Sequence, residues 1–395
     1  MSASRRKIRD TLVQGGRPAR VEGRHVNMPI ELGSTMVFDT LTEFERARAR
    51  RLEPGTLYYG RYGNAASFQL EELIADLDGA TGVTITSSGV AAISLSLLAL
   101  TRPGTHVLVA DNVYGNTRAF CDTLLTSNNV DIQYFDPMIG GDVADLFRDN
   151  TVAVMFEAPG SGTFDVCDIR AVAEACREHS VVSVFDGTWA TPIFCQPLEL
   201  GVDVLVYSAS KYLSGHSDCM MGVISCKDSG LFMRIRKCVM AVGDKTGGQE
   251  VMLALRGLRT LDIRMTAIEA AALEVAGWLA EQPQVKQLLH PAFESCPGHQ
   301  YWRRDFSGSS GLFGVIFYPC SSKQVAAFVD TLQHFGIGVS WGGYESLVLP
   351  MKPVRTAKPC DETGQLVRFN VGLEDTKSLI ADLSAALPKL GIVSE

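Results

Sequence analysis

The residues whose types could do chemistry lie just after short apolar runs. "VLVYSAS" ends in Ser208 and Ser210 and leads into Lys211, inside "YSASKYLSGH" at 207–216. "VVSVFD" ends in Asp186, followed by Gly187, Thr188 and Trp189. "TGVTIT" ends in Ser87-Ser88-Gly89, which opens an apolar helical stretch. "THVLVADNVY" runs out to Tyr114, and "AVMFEAP" ends near Glu157. A lysine sent to the end of a buried strand is either an anchoring charge or a nucleophile. Backbone N–H groups at a helix start, with glycine allowing close approach, suit a phosphate.

Singly, each feature has an ordinary reading: a turn glycine, a capping aspartate, a solvated lysine. Jointly they are the parts of a pyridoxal phosphate site. That site needs a lysine for covalent attachment, an acid on the pyridinium nitrogen, donors for the phosphate and a face for the ring. Two shorter motifs compete. Ser208-Ala209-Ser210-Lys211 fits S-x-x-K and Lys245-Thr246-Gly247 fits K-T-G, the motifs of serine β-lactamases and penicillin-binding proteins. In those enzymes the serine opens a helix, whereas here it ends a buried strand. The two motifs also stand too close together, and Ser217-Asp218 is followed by Cys219, so no S-D-N lies between them. "GSGTFD" at 160–165 lacks the third glycine of a dinucleotide fingerprint, and neither a P-loop nor H-E-x-x-H is present.

The elements that must position these residues follow from the apolar pattern. From about residue 66, helical stretches ("SFQLEELIADLDG", "GVAAISLSLLAL", "DIRAVAEACREH") are interspersed with the strands "TGVTITSS", "THVLVAD", "DIQYFD", "TVAVMFEAP", "VVSVFDG", "VDVLVYSAS" and "MGVISCK". The strands are continuously apolar, the signature of burial on both faces in a mostly parallel, helix-covered sheet. Ligands of such sheets bind at the carboxyl ends of the strands. The pattern predicts an α/β fold with a second, smaller α+β unit. After about 259 comes one long helix, "LDIRMTAIEAAALEVAGWLAEQ", and then mixed strands and helices, with Ser321 and Gln324 capping "SSKQVAAFVDTLQHF". The expected division is an arm at 1–65, a cofactor-binding domain at 66–258 and a C-terminal domain at 259–395. The arm carries few periodic segments. Its exception is "TLTEFERARARR", where Thr42 and Glu45 are expected to form a capping box.

Bulk properties bound the class. A chain of 395 residues is too long for one compact core. Hydrophobic content of 46% and charged content of 20% describe a soluble globular protein. A net charge of −8 argues against nucleic acid or an anionic membrane as partner. The start, "MSASRRKIRD", lacks the apolar core of a secretory signal, and no apolar run reaches the ~20 residues of a membrane span. The ten cysteines contain no C-x-x-C pair, and several sit in apolar runs. They read as buried free thiols in a reducing cytoplasm, not as a disulfide framework or zinc site.

From "YGRYGN" (59–64) to "LVRFNVGLED" (366–375), the chain resembles the pyridoxal phosphate enzymes of cysteine and methionine metabolism, whose fold is shared with aspartate aminotransferase. The resemblance rests on "SSGVAA", "DGTWATP", "SASKYLSGHSD", "RGLRTLDIRM", "FSGSSGLF" and "SWGGYESL", in that order. Within the family, Trp341 is similar to the bacterial cystathionine β-lyase branch, where γ-lyases and γ-synthases tend to have Leu. The resemblance implies roles position by position. Lys211 would hold the cofactor and move the Cα proton. Asp186 would keep the pyridinium nitrogen protonated. Tyr114 would stack on the ring and accept a proton from the substrate ammonium. The backbone of Gly89 and Val90 and the hydroxyls of Ser208 and Ser210 would hold the phosphate. Tyr59 and Arg61 would reach the phosphate of a neighbouring subunit, with Tyr59 also touching substrate. Arg368 would hold the substrate carboxylate, a task suited to a planar guanidinium, and Ser340 and Trp341 would line the substrate side.

The implied reaction is β-elimination from cystathionine or a similar cysteine thioether. γ-Elimination, and β-elimination from cystine or a cysteine S-conjugate, are the alternatives. The implied assembly is a homo-oligomer with shared sites, with a tetramer expected. The chain departs from the family pattern at four places: Gly187 where Asn is usual after the acid, Val339 where Tyr precedes Ser-Trp, "NAAS" at 64–67 where Asn-Pro-Thr is more usual, and Val90 where Met or Ala is common, the last at a backbone donor whose side chain should matter little.

Overall fold

A computed structural model describes residues 3–18, 25–359 and 364–391. Its centre is a seven-stranded sheet built from β1 (Gly82–Thr86), β2 (His106–Ala110), β3 (Asp131–Phe135), β4 (Thr151–Glu157), β5 (Val182–Asp186), β6 (Val204–Ser208) and β7 (Gly222–Cys226). The strand order is β1-β7-β6-β5-β4-β2-β3. Strands β2 to β6 pair in parallel, while β7 runs antiparallel to both β1 and β6. Every residue of β1, β2 and β7 is buried, as continuous apolar runs require.

Helices cover the sheet. The stretch Gly89–Leu100 packs on β6 and β7. It has no polar face, in keeping with burial all round. Its start is fixed by Ser88, whose hydroxyl accepts the Ala91 N–H at 3.1 Å. The helix Ala65–Asp78 packs on β1 between an Asn64–Ser67 capping box and a left-handed Gly79.

A smaller sheet follows: β8 (Val285–Leu289), β9 (Leu312–Phe317), β10 (Gly336–Ile337), β11 (Leu347–Pro350) and β12 (Gln365–Asn370), ordered β10-β11-β12-β9-β8. It is antiparallel except for the β10–β11 pair. Its core is aromatic, with Phe313, Phe317, Phe328 and Phe369 all buried. The long helix Leu261–Ala280 joins the two cores: Leu261, Met265 and Ile268 face the first, and Val275, Ala276 and Leu279 the second.

Two local expectations are corrected. The capping box lies at Thr40 and Glu43, not at Thr42 and Glu45, and the helix is Leu41–Ala49. Both pairs have the same spacing; Thr40 is chosen where Phe38 meets Phe44 at 5.7 Å and fixes the entry of the chain. The arm also holds a helix, Ala3–Gln14, that no apolar period announces. It docks by burying Leu12 and by pairing Arg5 and Arg9 with the buried Asp262. Among the described residues the nine cysteines are free, and all but Cys238 and Cys320 are buried; Cys360 lies outside the described residues. No helix among the described residues is long and apolar enough to cross a membrane.

Candidate active site

The carboxyl ends of β1, β2, β4, β5 and β6 bring the chemical residues to one edge of the large sheet. Lys211 sits in the turn after β6, three residues beyond Ser208. Its Nζ donates to Ser340 Oγ at 2.5 Å and lies 5.4 Å from the centre of the Trp341 ring. Trp341 in turn packs on Tyr212, the residue after Lys211, at 5.5 Å. Burial, and next the charge of Arg368, push the Lys211 ammonium down to about 8; Asp186 opposes the shift.

Arg368, on β12, is 7% exposed. Its Nη2 donates to the carbonyls of Gly338 and Val339 at 3.0 Å and of Ser340 at 3.1 Å. All three bonds use one nitrogen, and no hydrogen bond among the described residues uses Nε or Nη1. Asn370, further along β12, fixes the same loop: its Oδ1 accepts from the Gly342 N–H and from the Tyr212 hydroxyl, both at 3.3 Å.

Asp186 ends β5. Thr188 donates to it through its N–H at 2.9 Å and through its hydroxyl. No arginine, lysine or histidine among the described residues forms an ion pair with it. Desolvation raises its pKa above the ordinary carboxylate range, against the Thr188 bonds and the Lys211 charge. Glu157 is its register neighbour on β4 and is raised too, by burial and by the charge of Asp186. The Glu157 carboxylate accepts the N–H of Tyr114 at 2.9 Å and of Ser161 at 2.6 Å. Glu157 therefore sets the backbone from which Tyr114 projects. Its position at a strand end level with Asp186 was the available signal; its role as a backbone acceptor had none. Tyr114 is 41% exposed and its hydroxyl accepts from Asn116 at 2.8 Å.

The start of the helix Gly89–Leu100 lies against β6. A Cβ on Gly89 would fall 2.5 Å from Ser208 Cβ and 2.8 Å from its Cα, so only glycine fits. No hydrogen bond among the described residues uses the Ser208 hydroxyl, which faces this helix start beside the half-buried Val90. Ser210 is differently placed: its hydroxyl donates to Met221 O at 3.3 Å and accepts the Met221 N–H at 3.0 Å, which ties the turn to β7. Tyr59 and Arg61 stand apart from this set. Arg61 donates to Met240 O at 2.5 Å and lies 4.5 Å from the Tyr62 ring centre. Tyr59 is 39% exposed, and no hydrogen bond or ion pair among the described residues joins either residue to Lys211, Asp186 or Ser208. The departure at Gly187 has a steric cause: a Cβ there would lie 2.7 Å from Leu205 Cδ1 and 3.0 Å from Tyr207 Cε1.

Residues 10–388 match the family described as Cys/Met metabolism PLP-dependent enzyme. The chain belongs to this family. It is 36% identical over 393 residues to the cystathionine beta-lyase MetC of Escherichia coli, covering 98% of this chain and 99% of that protein. It is 36% identical over 386 residues to a cystathionine beta-lyase of Haemophilus influenzae, covering 96% and 97%. The crystal structure of cystathionine gamma synthase from Xanthomonas oryzae pv. oryzae, in complex with aminoacrylate and cysteine, superposes with a TM-score of 0.86 at 28% identity, over 97% of this chain and 98% of that one.

The family cofactor, pyridoxal 5'-phosphate, fits what the strand ends present. A carboxylate with no ion-pair partner among the described residues suits a protonated ring nitrogen, and a glycine-walled helix start beside a hydroxyl that none of those residues bonds suits a phosphate. A lysine already displaced toward neutrality suits an aldehyde.

Proposed function

We propose that this pyridoxal phosphate-dependent enzyme is a carbon–sulfur lyase that performs β-elimination on L-cystathionine or a similar cysteine thioether, giving a thiol and an unsaturated amino acid that water hydrolyses to pyruvate and ammonia. The observation that carries this reading is the convergence of Lys211 and Arg368 on the Ser340–Trp341 wall. A base lowered to about 8 lies beside a guanidinium whose Nε and Nη1 bond none of the described residues. The relatives named cystathionine beta-lyase support it, as does Trp341.

The residues divide the work as follows. Gly89 and Val90, through their N–H groups, and the Ser208 hydroxyl would hold the phosphate, with Ser210 bracing the turn or joining them after giving up Met221. Asp186 would hold a proton on the ring nitrogen. The bound cofactor supplies an electron sink for the pair left at Cα. Arg368 would orient the substrate through its carboxylate. Tyr114 would cover the ring and take a proton from the substrate ammonium. Lys211 would remove the Cα proton and return it to the departing sulfur, so that the Cβ–S bond breaks with charge balanced.

The same reading takes a homo-oligomer, a tetramer by expectation. Val26, Leu32, Val37 and Leu41 of the arm are 69%, 77%, 91% and 74% exposed, an apolar surface that a second copy would cover. Tyr59 and Arg61 follow on that arm, where they would reach a neighbour's phosphate. A cytoplasmic location and the division at residues 65 and 258 belong to the same proposal. Lys211→Ala tests it: the absorption band of the covalently held cofactor and all but a trace of thioether cleavage should vanish, and full turnover by the variant would overturn it.

A further inference from the structure

Asp111 follows β2 directly and stands three residues before Tyr114. Its side chain is fully buried. Its carboxylate accepts from the backbone N–H groups of Thr356, Ala357 and Lys358, at 2.9, 2.8 and 3.0 Å. Arg118 donates to it as well, and Arg355 Nε lies at 3.3 Å. Residues 355–358 lie in the connection between β11 and β12 of the smaller sheet, and β12 carries Arg368. Three successive amides closing on one buried carboxylate from a distant part of the chain form an anion clasp in which the anion is a side chain.

The clasp is extended on both sides. Arg355 Nη1 reaches Asp165 at 3.4 Å, and Asp165 accepts from Asn112, the neighbour of Asp111, at 3.1 Å. Lys358 pairs with Asp136 at 3.0 Å. Arg118 lies 3.7 Å from the Tyr134 ring centre, against the sheet edge. Three acids, Asp111, Asp136 and Asp165, thus meet two bases, Arg355 and Lys358, across the seam between the two sheets, with Arg118 beside Asp111 on its own side. The segment 111–114 is then held at one end by this seam and at the other by the Glu157 bond to the Tyr114 N–H.

We propose that Asp111 is a positioning residue: it clasps the β11–β12 connection to the strand end that carries Tyr114, and so sets the span between Arg368 on one sheet and Lys211 with Tyr114 on the other. The proposal rests on the reading that Arg368 holds the substrate carboxylate. A carboxylate held out of register with the Cα proton by a fraction of an ångström costs binding and turnover.

The test uses the loaded enzyme and Asp111→Asn, which keeps shape but removes the charge the three amides and two guanidinium groups face. Hydrogen exchange is read at Thr356, Ala357 and Lys358, and KM and kcat are read on a thioether. The clasp predicts lost protection at 356–358 and a KM raised by about tenfold or more, with kcat changed less and the cofactor absorption band retained. Unchanged protection, or lost protection with unchanged KM, overturns it. Should that variant fail to fold, Arg355→Ala carries the test: a smaller KM rise in the same direction supports the clasp and none overturns it. Arg368→Ala run beside them separates the two claims. If its KM is unchanged, the carboxylate reading has failed, while the exchange result still decides whether Asp111 holds the connection.

Discussion

Asp78 offers a prediction whose size follows from the structure. It ends the helix Ala65–Asp78, is 1% exposed, and accepts from the Tyr207 hydroxyl at 2.9 Å and the Ser225 hydroxyl at 2.6 Å. No cation pairs with it among the described residues, and a negative charge at a helix carboxyl end opposes the dipole. Burial pushes its pKa from 3.8 up to about 7. The folded chain therefore binds a proton that the unfolded chain has released between these values, and stability falls as pH rises through that window. Relative to a group that never ionises, the penalty is about 1.5 kcal/mol at pH 5 and levels off at about 4 kcal/mol above pH 7.

Asp78→Asn removes the charge and keeps an acceptor for Tyr207, while the Ser225 hydroxyl can turn to accept from the amide. The variant should thus gain on the parent protein by about 2.5 kcal/mol more at pH 8 than at pH 5. For a chain of 395 residues, with an unfolding entropy of roughly 0.8 kcal/mol per kelvin, that is a Tm difference of about 3–4 °C. Thermal scans of the loaded proteins at the two pH values read it directly. An equal Tm gap at both, or a variant less stable than its parent at pH 8, would refute the argument that Asp78 is a buried, unpaired carboxylate.

Two further substitutions probe the walls of the site. Gly89→Ala should lower stability and weaken cofactor binding by about tenfold or more, because the new methyl must push the Ser208 end of β6 away from the helix start that seats the phosphate; a titration of the folded variant with pyridoxal phosphate checks this, and unchanged affinity would contradict it. Gly187→Asn, which restores the usual family residue, should lower stability by about 1–3 kcal/mol, since Leu205 and Tyr207 fill the space its side chain would need; denaturant midpoints decide, and a neutral result would show that β6 yields freely.

The large sheet was legible because its strands are apolar on both faces, and the site because such sheets work at their carboxyl ends. What the pattern could not carry is direction and distance. β7 is as continuously apolar as its neighbours, yet runs antiparallel; burial on both faces looks the same either way. The helix Ala3–Gln14 leaves no mark in the pattern because it docks by two arginines and one leucine, with no apolar stripe. β8, with Lys286 and Gln287 in its middle, is half-exposed and short. Lys211, Asp186, Ser208 and Gly89 lie near the strand ends that predict them. Arg368 and Trp341 came instead from the family resemblance, since nothing local marks a strand of a second sheet as facing the first. Glu157 was visible as a strand-end acid, but its bond to the Tyr114 backbone depends on where a loop returns, which spacing does not encode. The contact of Asp111 with residues 356–358 is longer-ranged still.

The central claim is that the bond broken is Cβ–S, and the product states it. L-cystathionine incubated with the purified, cofactor-loaded enzyme should yield pyruvate and homocysteine as the keto acid and thiol. Release of 2-oxobutyrate and cysteine would mean cleavage at the other carbon, and would contradict the account.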